Sequence, residues 1–328
     1  MRLVAVAPNP SIDRLYELDR LRLGAVNRPR VETRVAGGKG LNVARAAVAL
    51  GADVSAVALV AGHAGRWLVE TLSAEGIRGR FAWAAGETRT CVAIHDAATG
   101  ALTELNEAGP TVSGDGWSEL VAAVREELAL GDVGLLTISG SLPPGAPADG
   151  LAELVSMARG MAVPVALDAG GPALGRALDA RPWLVKLNAA EAAATLGESI
   201  EPEAEPSPPE AAGAGGPAAL EAAARIAART GGSVIVTRGI EGAVAIGADG
   251  TPYRVGPPPV RGPFPVGSGD ALLAGVAVAT LGGGSFVEAL RLGAAAAAAN
   301  AHARGAGRLD PAEVERLLPT IQVGPAAG

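Results

Sequence analysis

This sequence predicts an α/β fold with a mainly parallel central sheet, on three observations. Short β-rich runs alternate with amphipathic stretches, and the connections between them have the lengths of βα crossovers. Apolar residues make up 49% of the chain but aromatic residues only 3%, so the core is built from Ala, Val and Leu. At 328 residues the chain is long enough for a substantial core, and a single domain over residues 1–328 is expected.

Taken in order, strands are expected at residues 3–7, 55–60, 134–139, 163–168, 184–187 and 233–237. Helices are expected between them at 41–50, 65–75, 116–128, 150–160 and 218–230. A long helical region then runs over 270–302, broken at Gly282-Gly283-Gly284. Two stretches interrupt this rhythm. Residues 11–35 and 87–106 read as short alternating strands, RTCVAIHD and ALTELN among them, and predict a small antiparallel sheet that protrudes and covers a site. Residues 198–217, rich in Glu, Pro, Ala and Gly, read as a flexible surface loop rather than a linker, because the βα rhythm resumes directly after them.

Composition removes several classes of function. A formal charge of −7 without a polybasic tract argues against nucleic-acid and anionic-membrane partners. A single cysteine, Cys91, excludes an internal disulfide and a cysteine metal cage, and His63, His95 and His302 lack metal-ligand spacing. The opening MRLVAVAPNP lacks the pattern of a signal peptide, and no apolar run is long enough for a membrane span, so a cytoplasmic location is expected. Neither a G-x-S-x-G elbow nor a G-x-G-x-x-G after the first strand is present, which lowers the case for a hydrolase or a nicotinamide enzyme.

The sharpest local feature is Pro265-Val266-Gly267-Ser268-Gly269-Asp270 at a loop-to-helix junction. Glycines there let backbone amides converge, and the helix N-terminus adds positive potential, which suits a transferring phosphoryl group. Asp270 lies in the first helical turn, where the dipole is expected to favour its ionised form and suit it to act as a base. Taken alone, a plain glycine-rich helix start is an equally good reading. Gly37-Gly38-Lys39-Gly40-Leu41-Asn42 precedes another helix; it is not a Walker A loop, but Lys39 and Asn42 offer donors to hydroxyl or phosphate oxygens. In Lys186-Leu187-Asn188-Ala189-Ala190-Glu191, Asn188 and Glu191 share a helical face and could organise hydrated magnesium, although a capping box is the simpler local reading. Thr237-Arg238-Gly239-Ile240-Glu241-Gly242 is a strand ending in a glycine turn, and Asp168 ends the run VALD, where ligands gather in α/β sheets.

Together these motifs, with Asn9-Pro10-Ser11-Ile12-Asp13 at the start, resemble the PfkB group of ribokinase-like carbohydrate kinases, in order and over nearly the whole chain. The resemblance implies a three-layer α/β/α sandwich with a mainly parallel sheet and a small β-sheet lid, which would be the insertion at 11–35 and 87–106. It implies that Asp270 is the base and that the amides of Gly267, Ser268, Gly269 and Asp270 form the anion hole. Asp13, Gly37, Gly38, Lys39 and Asn42 would lie at the sugar. Lys186, Asn188, Thr237, Gly239, Gly242 and Asn300 would bind ATP, with Asn300 near the adenine. Asn188 and Glu191 would help organise Mg²⁺ indirectly, and a homodimer through the lid is expected.

Ser139-Gly140-Ser141-Leu142-Pro143-Pro144-Gly145 and Thr103-Glu104-Leu105-Asn106-Glu107-Ala108-Gly109-Pro110 are similar to the branch acting on ketohexose monophosphates, the 1-phosphofructokinases and tagatose-6-phosphate kinases. By that likeness Arg89 and Ser141 would hold the phosphate already on the sugar, a task suited to the forked donors of arginine. The expected reaction is ATP-dependent conversion of D-fructose 1-phosphate to fructose 1,6-bisphosphate. Tagatose 6-phosphate, fructose 6-phosphate and a non-phosphorylated sugar are the alternatives. Departures from the family pattern are Leu187 for proline, Pro265 for threonine, Ser268 for alanine and Cys91 for asparagine.

Overall fold

The computed structural model describes residues 1–197, 215–258 and 260–326. Its strands in chain order are β1 (Arg2–Ala7), β2 (Ser11–Leu18), β3 (Val31–Gly37), β4 (Val54–Ala61), β5 (Arg78–Ala84), β6 (Arg89–Asp96), β7 (Leu102–Asn106), β8 (Val133–Ser139), β9 (Val165–Asp168), β10 (Leu184–Asn188), β11 (Ser233–Thr237), β12 (Ala243–Ile246), β13 (Pro252–Val255) and β14 (Val323–Pro325). The helices are α1 (Lys39–Ala49), α2 (Gly62–Ala74), α3 (Gly114–Leu128), α4 (Gly150–Gly160), α5 (Gly171–Ala177), α6 (Ala189–Thr195), α7 (Gly215–Thr230), α8 (Ser268–Leu281), α9 (Phe286–His302) and α10 (Pro311–Leu317).

The main sheet runs β14-β13-β12-β11-β10-β9-β8-β1-β4-β5. From β11 to β5 every neighbouring pair is parallel, and β12, β13 and β14 close that edge antiparallel. Its central strands, β1, β4, β8 and β9 foremost, are largely apolar on both faces because both are covered. Along β1, Leu3, Ala5 and Ala7 belong to one core cluster with residues of α1, α8 and α9, while Val4 and Val6 belong to the other with residues of α3, α4 and α7. Three layers result. Chain order turns back between β1 and β8, so the loops leaving their carboxyl ends open a crevice there, the usual ligand position in such sheets.

A second, four-stranded sheet has the order β3-β2-β6-β7 and occupies the two expected insertions. One feature differs from expectation: β2 and β6 pair in parallel, so the sheet is mixed, with antiparallel partners only at its flanks. No hairpin joins β2 to β6. The chain passes through β3, α1, β4, α2 and β5 between them, and a crossover of that length sets no antiparallel direction.

The expected strands and helices are all present, with ends shifted by a few residues. Absent from that expectation were β5, β12, β13, β14, α5, α6 and α10. Of the loop expected at 198–217, residues 198–214 lie outside the described residues, and 215–217 open α7. The expected helical break falls between α8 and α9, where Ser285 and Glu288 form a capping box. None of the described helices is long and apolar enough to cross a membrane.

Candidate active site

The glycine turn sits where α8 begins. Gly267 is the N-cap at φ 83°, a left-handed conformation that favours glycine, and it is pressed against the segment 306–307. A Cβ on Gly267 would lie 2.7 Å from the Gly307 nitrogen and 2.8 Å from the Ala306 Cα, which are backbone atoms. Helix α8 is apolar around its whole circumference and buried from Asp270 to Ala277. The turn therefore presents its amides from a fixed platform.

Asp270 is only 6% exposed. Asn42, in the first turns of α1, donates its Nδ2 to Asp270 Oδ2 at 2.9 Å. Arg45 holds that asparagine from below, donating to Asn42 Oδ1 at 3.4 Å and to the Ala306 carbonyl at 3.3 Å. Behind Asp270 lies a charge cluster. Asp168, fully buried at the end of β9, accepts from Lys186 at 2.7 Å and from Lys39 at 3.0 Å, and Lys39 also reaches Glu191 at 3.1 Å. Lys186 Nζ backs onto the glycine turn, 2.7 Å from the position of a Cβ on Gly269.

The electrostatics follow from this packing. Burial disfavours charge on Asp168, yet the two lysines outweigh it and hold its carboxyl below the usual range. Burial likewise opposes the charge on Lys39, but Asp168, Glu191 and Asp270 overcome it and push its pKa up. Asp270 behaves in the opposite sense. Burial and the charge of Asp168 raise it from 3.8 to about 7, against the pull of Lys186, Lys39 and the Asn42 hydrogen bond. The expectation that the helix dipole keeps Asp270 ionised is thus corrected: desolvation and a like charge prevail over a partial charge at the helix end. A carboxylate near 7 is well matched to taking a proton from a hydroxyl at neutral pH.

Two cavities meet at this centre. The larger, about 570 Å³, lies under the small sheet and is lined by Asp13, Gly38, Lys39, Asn42, Arg89 and Asp270 among others. Asp13 is braced by Ser11 Oγ and the Gly38 amide, the latter at 3.1 Å, and burial pushes its pKa up. Gly37 is needed because a Cβ there would overlap the Asp13 carboxylate. The smaller cavity, about 250 Å³, is mostly apolar and lined by Thr237, Gly239, Gly242, Leu272, Ala297 and Ile321 among others. Thr237, Gly239 and Gly269 border both.

Some sequence-predicted residues lie elsewhere or are already engaged. Asn300, expected near the adenine, lines neither cavity: it is fully buried and its side-chain amide is engaged within the protein. Its place on α9 turns it inward between the glycine turn and the segment 305–307. Ser141 is exposed, receives Asn9 Nδ2 at 3.3 Å, and does not line the larger cavity. Arg89 does line it, while its guanidinium donates to the carbonyls of Asn9 at 2.9 Å and Glu107 at 3.1 Å. Asn188 and Glu191 form the capping box, with reciprocal bonds of 2.8 and 2.9 Å. They are oxygen donors of the hard type magnesium prefers, but no cluster of three acidic or histidine ligands occurs among the described residues. Such a set fits a magnesium ion held chiefly by phosphates and water, with these two at its margin.

Sequence reasoning overlooked Arg45 and Phe264, and gave no site role to Glu104 and Asn106, which line the larger cavity. Only Arg45 carries a signal, as the one charge within the apolar helix VARAAVAL.

A sequence model of the pfkB family carbohydrate kinases matches residues 7–313. The fold is similar to that of phosphofructokinase-2 from Escherichia coli, crystallised with potassium, at TM-score 0.83 and 26% identity, covering 97% of this chain and 98% of that one. The tetrameric inhibited form of the same enzyme matches at TM-score 0.82 and 26% identity, with the same coverage. A Thermotoga maritima chain described as a possible 1-phosphofructokinase matches at TM-score 0.84 and 23% identity over the full length of both chains.

Proposed function

This chain belongs to the pfkB family of carbohydrate kinases, and on that footing we propose that it transfers the γ-phosphoryl group of ATP to a ketohexose monophosphate, D-fructose 1-phosphate foremost, giving fructose 1,6-bisphosphate. The observation that carries the reading is Asp270, a buried carboxylate raised to about 7 where a sugar-sized cavity and an apolar cavity meet at the glycine turn. Asp270 takes the proton of the acceptor hydroxyl as it attacks. The amides of residues 267–270 and the ammonium groups of Lys39 and Lys186 take up charge on the transferring phosphoryl group. A magnesium ion bound with the nucleotide, near Asn188 and Glu191, would supply further neutralisation of the phosphate charge. Thr237, Gly239 and Gly242 border the nucleotide, with the base in the smaller cavity. The small sheet acts as a lid that keeps water from competing with the sugar hydroxyl.

Arg89 favours a phosphorylated sugar, since it lines the larger cavity and retains guanidinium donors beyond its carbonyl contacts. Fructose 6-phosphate is the second reading. It is favoured by the likeness, at 26% identity, to an Escherichia coli phosphofructokinase-2 crystallised with that sugar.

ADP release measured against a panel of free and phosphorylated ketohexoses tests the proposal. Wild-type protein is expected to turn over fructose 1-phosphate best, and Asp270→Ala to lose about 10²–10⁴-fold in kcat, with stabilisation by ATP retained. Near-wild-type turnover by Asp270→Ala would overturn it.

A further inference from the structure

Asn300 is a polar residue in a helix where every residue from 294 to 299 is alanine. It is completely buried, and an amide in such a place is tolerated only when its hydrogen bonds are made. They are made to two loops. Its Nδ2 donates to the Val266 carbonyl at 2.9 Å and to Ser268 Oγ at 3.3 Å, the residues on either side of Gly267. Its Oδ1 accepts from the Gly307 amide at 2.9 Å.

Both loops lead to the reacting centre. Gly267 is pressed against residues 306–307, and Gly307 is pressed against the Asn42 backbone, where a Cβ would come within 2.5 Å of the Asn42 carbonyl. Asn42 in turn donates to Asp270. One amide thus fixes the αL turn that aims the phosphoryl-binding amides and the loop that sets the position of the base's hydrogen-bond partner.

We propose that Asn300 is a positioning residue for phosphoryl transfer, its side-chain amide holding the 266–268 turn and the Asn42–Asp270 pair in register. This rests on the kinase reading above. It assigns Asn300 no contact with nucleotide or sugar.

The test is Asn300→Ala and Asn300→Asp, read by kinetics and by amide hydrogen exchange. Asn300→Asp keeps the shape and the acceptor toward Gly307 while removing both donors, so it carries the test should Asn300→Ala not accumulate as folded protein. The expected result is a fall in kcat of about 10- to 100-fold, since a displacement of about 1 Å can cost as much. KM for ATP and for the sugar should stay within about threefold, and exchange of the 268–271 amides should rise selectively over that of β1 and β4. Overturning results are kcat within twofold of wild type in a folded variant, or an even rise of exchange throughout with kcat and both KM values worsening together. The exchange readout needs no substrate. If wild-type protein phosphorylated none of the sugars, the kinase reading would fail on that count while exchange still decided what Asn300 holds.

Discussion

Asp270 answers to two opposed demands. As the proposed base it would have to lose its proton, yet burial and the charge of Asp168 raise it to about 7, and activity is therefore expected to depend on pH. With the base protonated below about 7, kcat/KM is expected to rise about tenfold per pH unit on the acid side and to level off above about 7, read from initial rates. The stability effect has the opposite sign. The folded-state value lies above the ordinary 3.8, so the favourable contribution is present below about 4 and is lost as pH rises through about 7. Asp270→Asn should therefore be inactive but more stable than wild type at pH 8 by about 1–3 kcal/mol, with no gain at pH 4, by thermal unfolding. Asp168→Ala should do the reverse of stabilising. It leaves Lys186, itself 4% exposed, without its carboxylate, and should cost about 3–5 kcal/mol.

At the scale of elements, α8 and α9 decide whether the centre can form. They touch through glycine: a Cβ on Gly275 would lie 2.7 Å from the Gly293 Cα, and one on Gly293 the same distance from the Leu272 carbonyl. Helix α8 carries Asp270 and α9 carries Asn300, so this contact sets the spacing that lets the Asn300 amide reach Val266 and Ser268. Gly293→Val should wedge the helices apart, at a cost of about 1–3 kcal/mol or more. A drop in Tm together with lost turnover is the expected outcome. The motif at 265–270 was legible in sequence because turn chemistry is local. The helix contact was not, because one glycine in an alanine-rich helix looks like any other.

At the scale of the molecule, one tie between the small sheet and the C-terminal part of the body is an ion pair whose carboxylate is buried. Glu17 of β2, 3% exposed, pairs with Arg304 beyond α9, which hydrogen-bonds it and holds its pKa down. Phe264 packs edge-on against His95 of β6 at 5.7 Å, with the Arg304 guanidinium 5.2 Å from its ring. Arg304→Ala should leave Glu17 buried without its partner, lowering Tm. It should also raise hydrogen exchange in β2 and β6 well before the main sheet, as expected of a unit that opens on its own. Equal exchange changes in both sheets would show that the two open together.

The sequence by itself determined the alternation of the main strands and helices, the glycine turns and the residue types at the centre, since these rest on hydrophobic period, turn chemistry and short motifs. Tertiary structure alone decided which distant groups meet. Lys39 finds Asp168 across 129 residues, and Asn42 finds Asp270 across 228. It also decided that β2 and β6 run parallel, that Asn300 faces inward, and that Asp270 is raised rather than lowered. The physical reason is common to all of these. Desolvation, charge proximity and strand direction belong to the folded surroundings of a residue, and neighbours along the chain do not specify them.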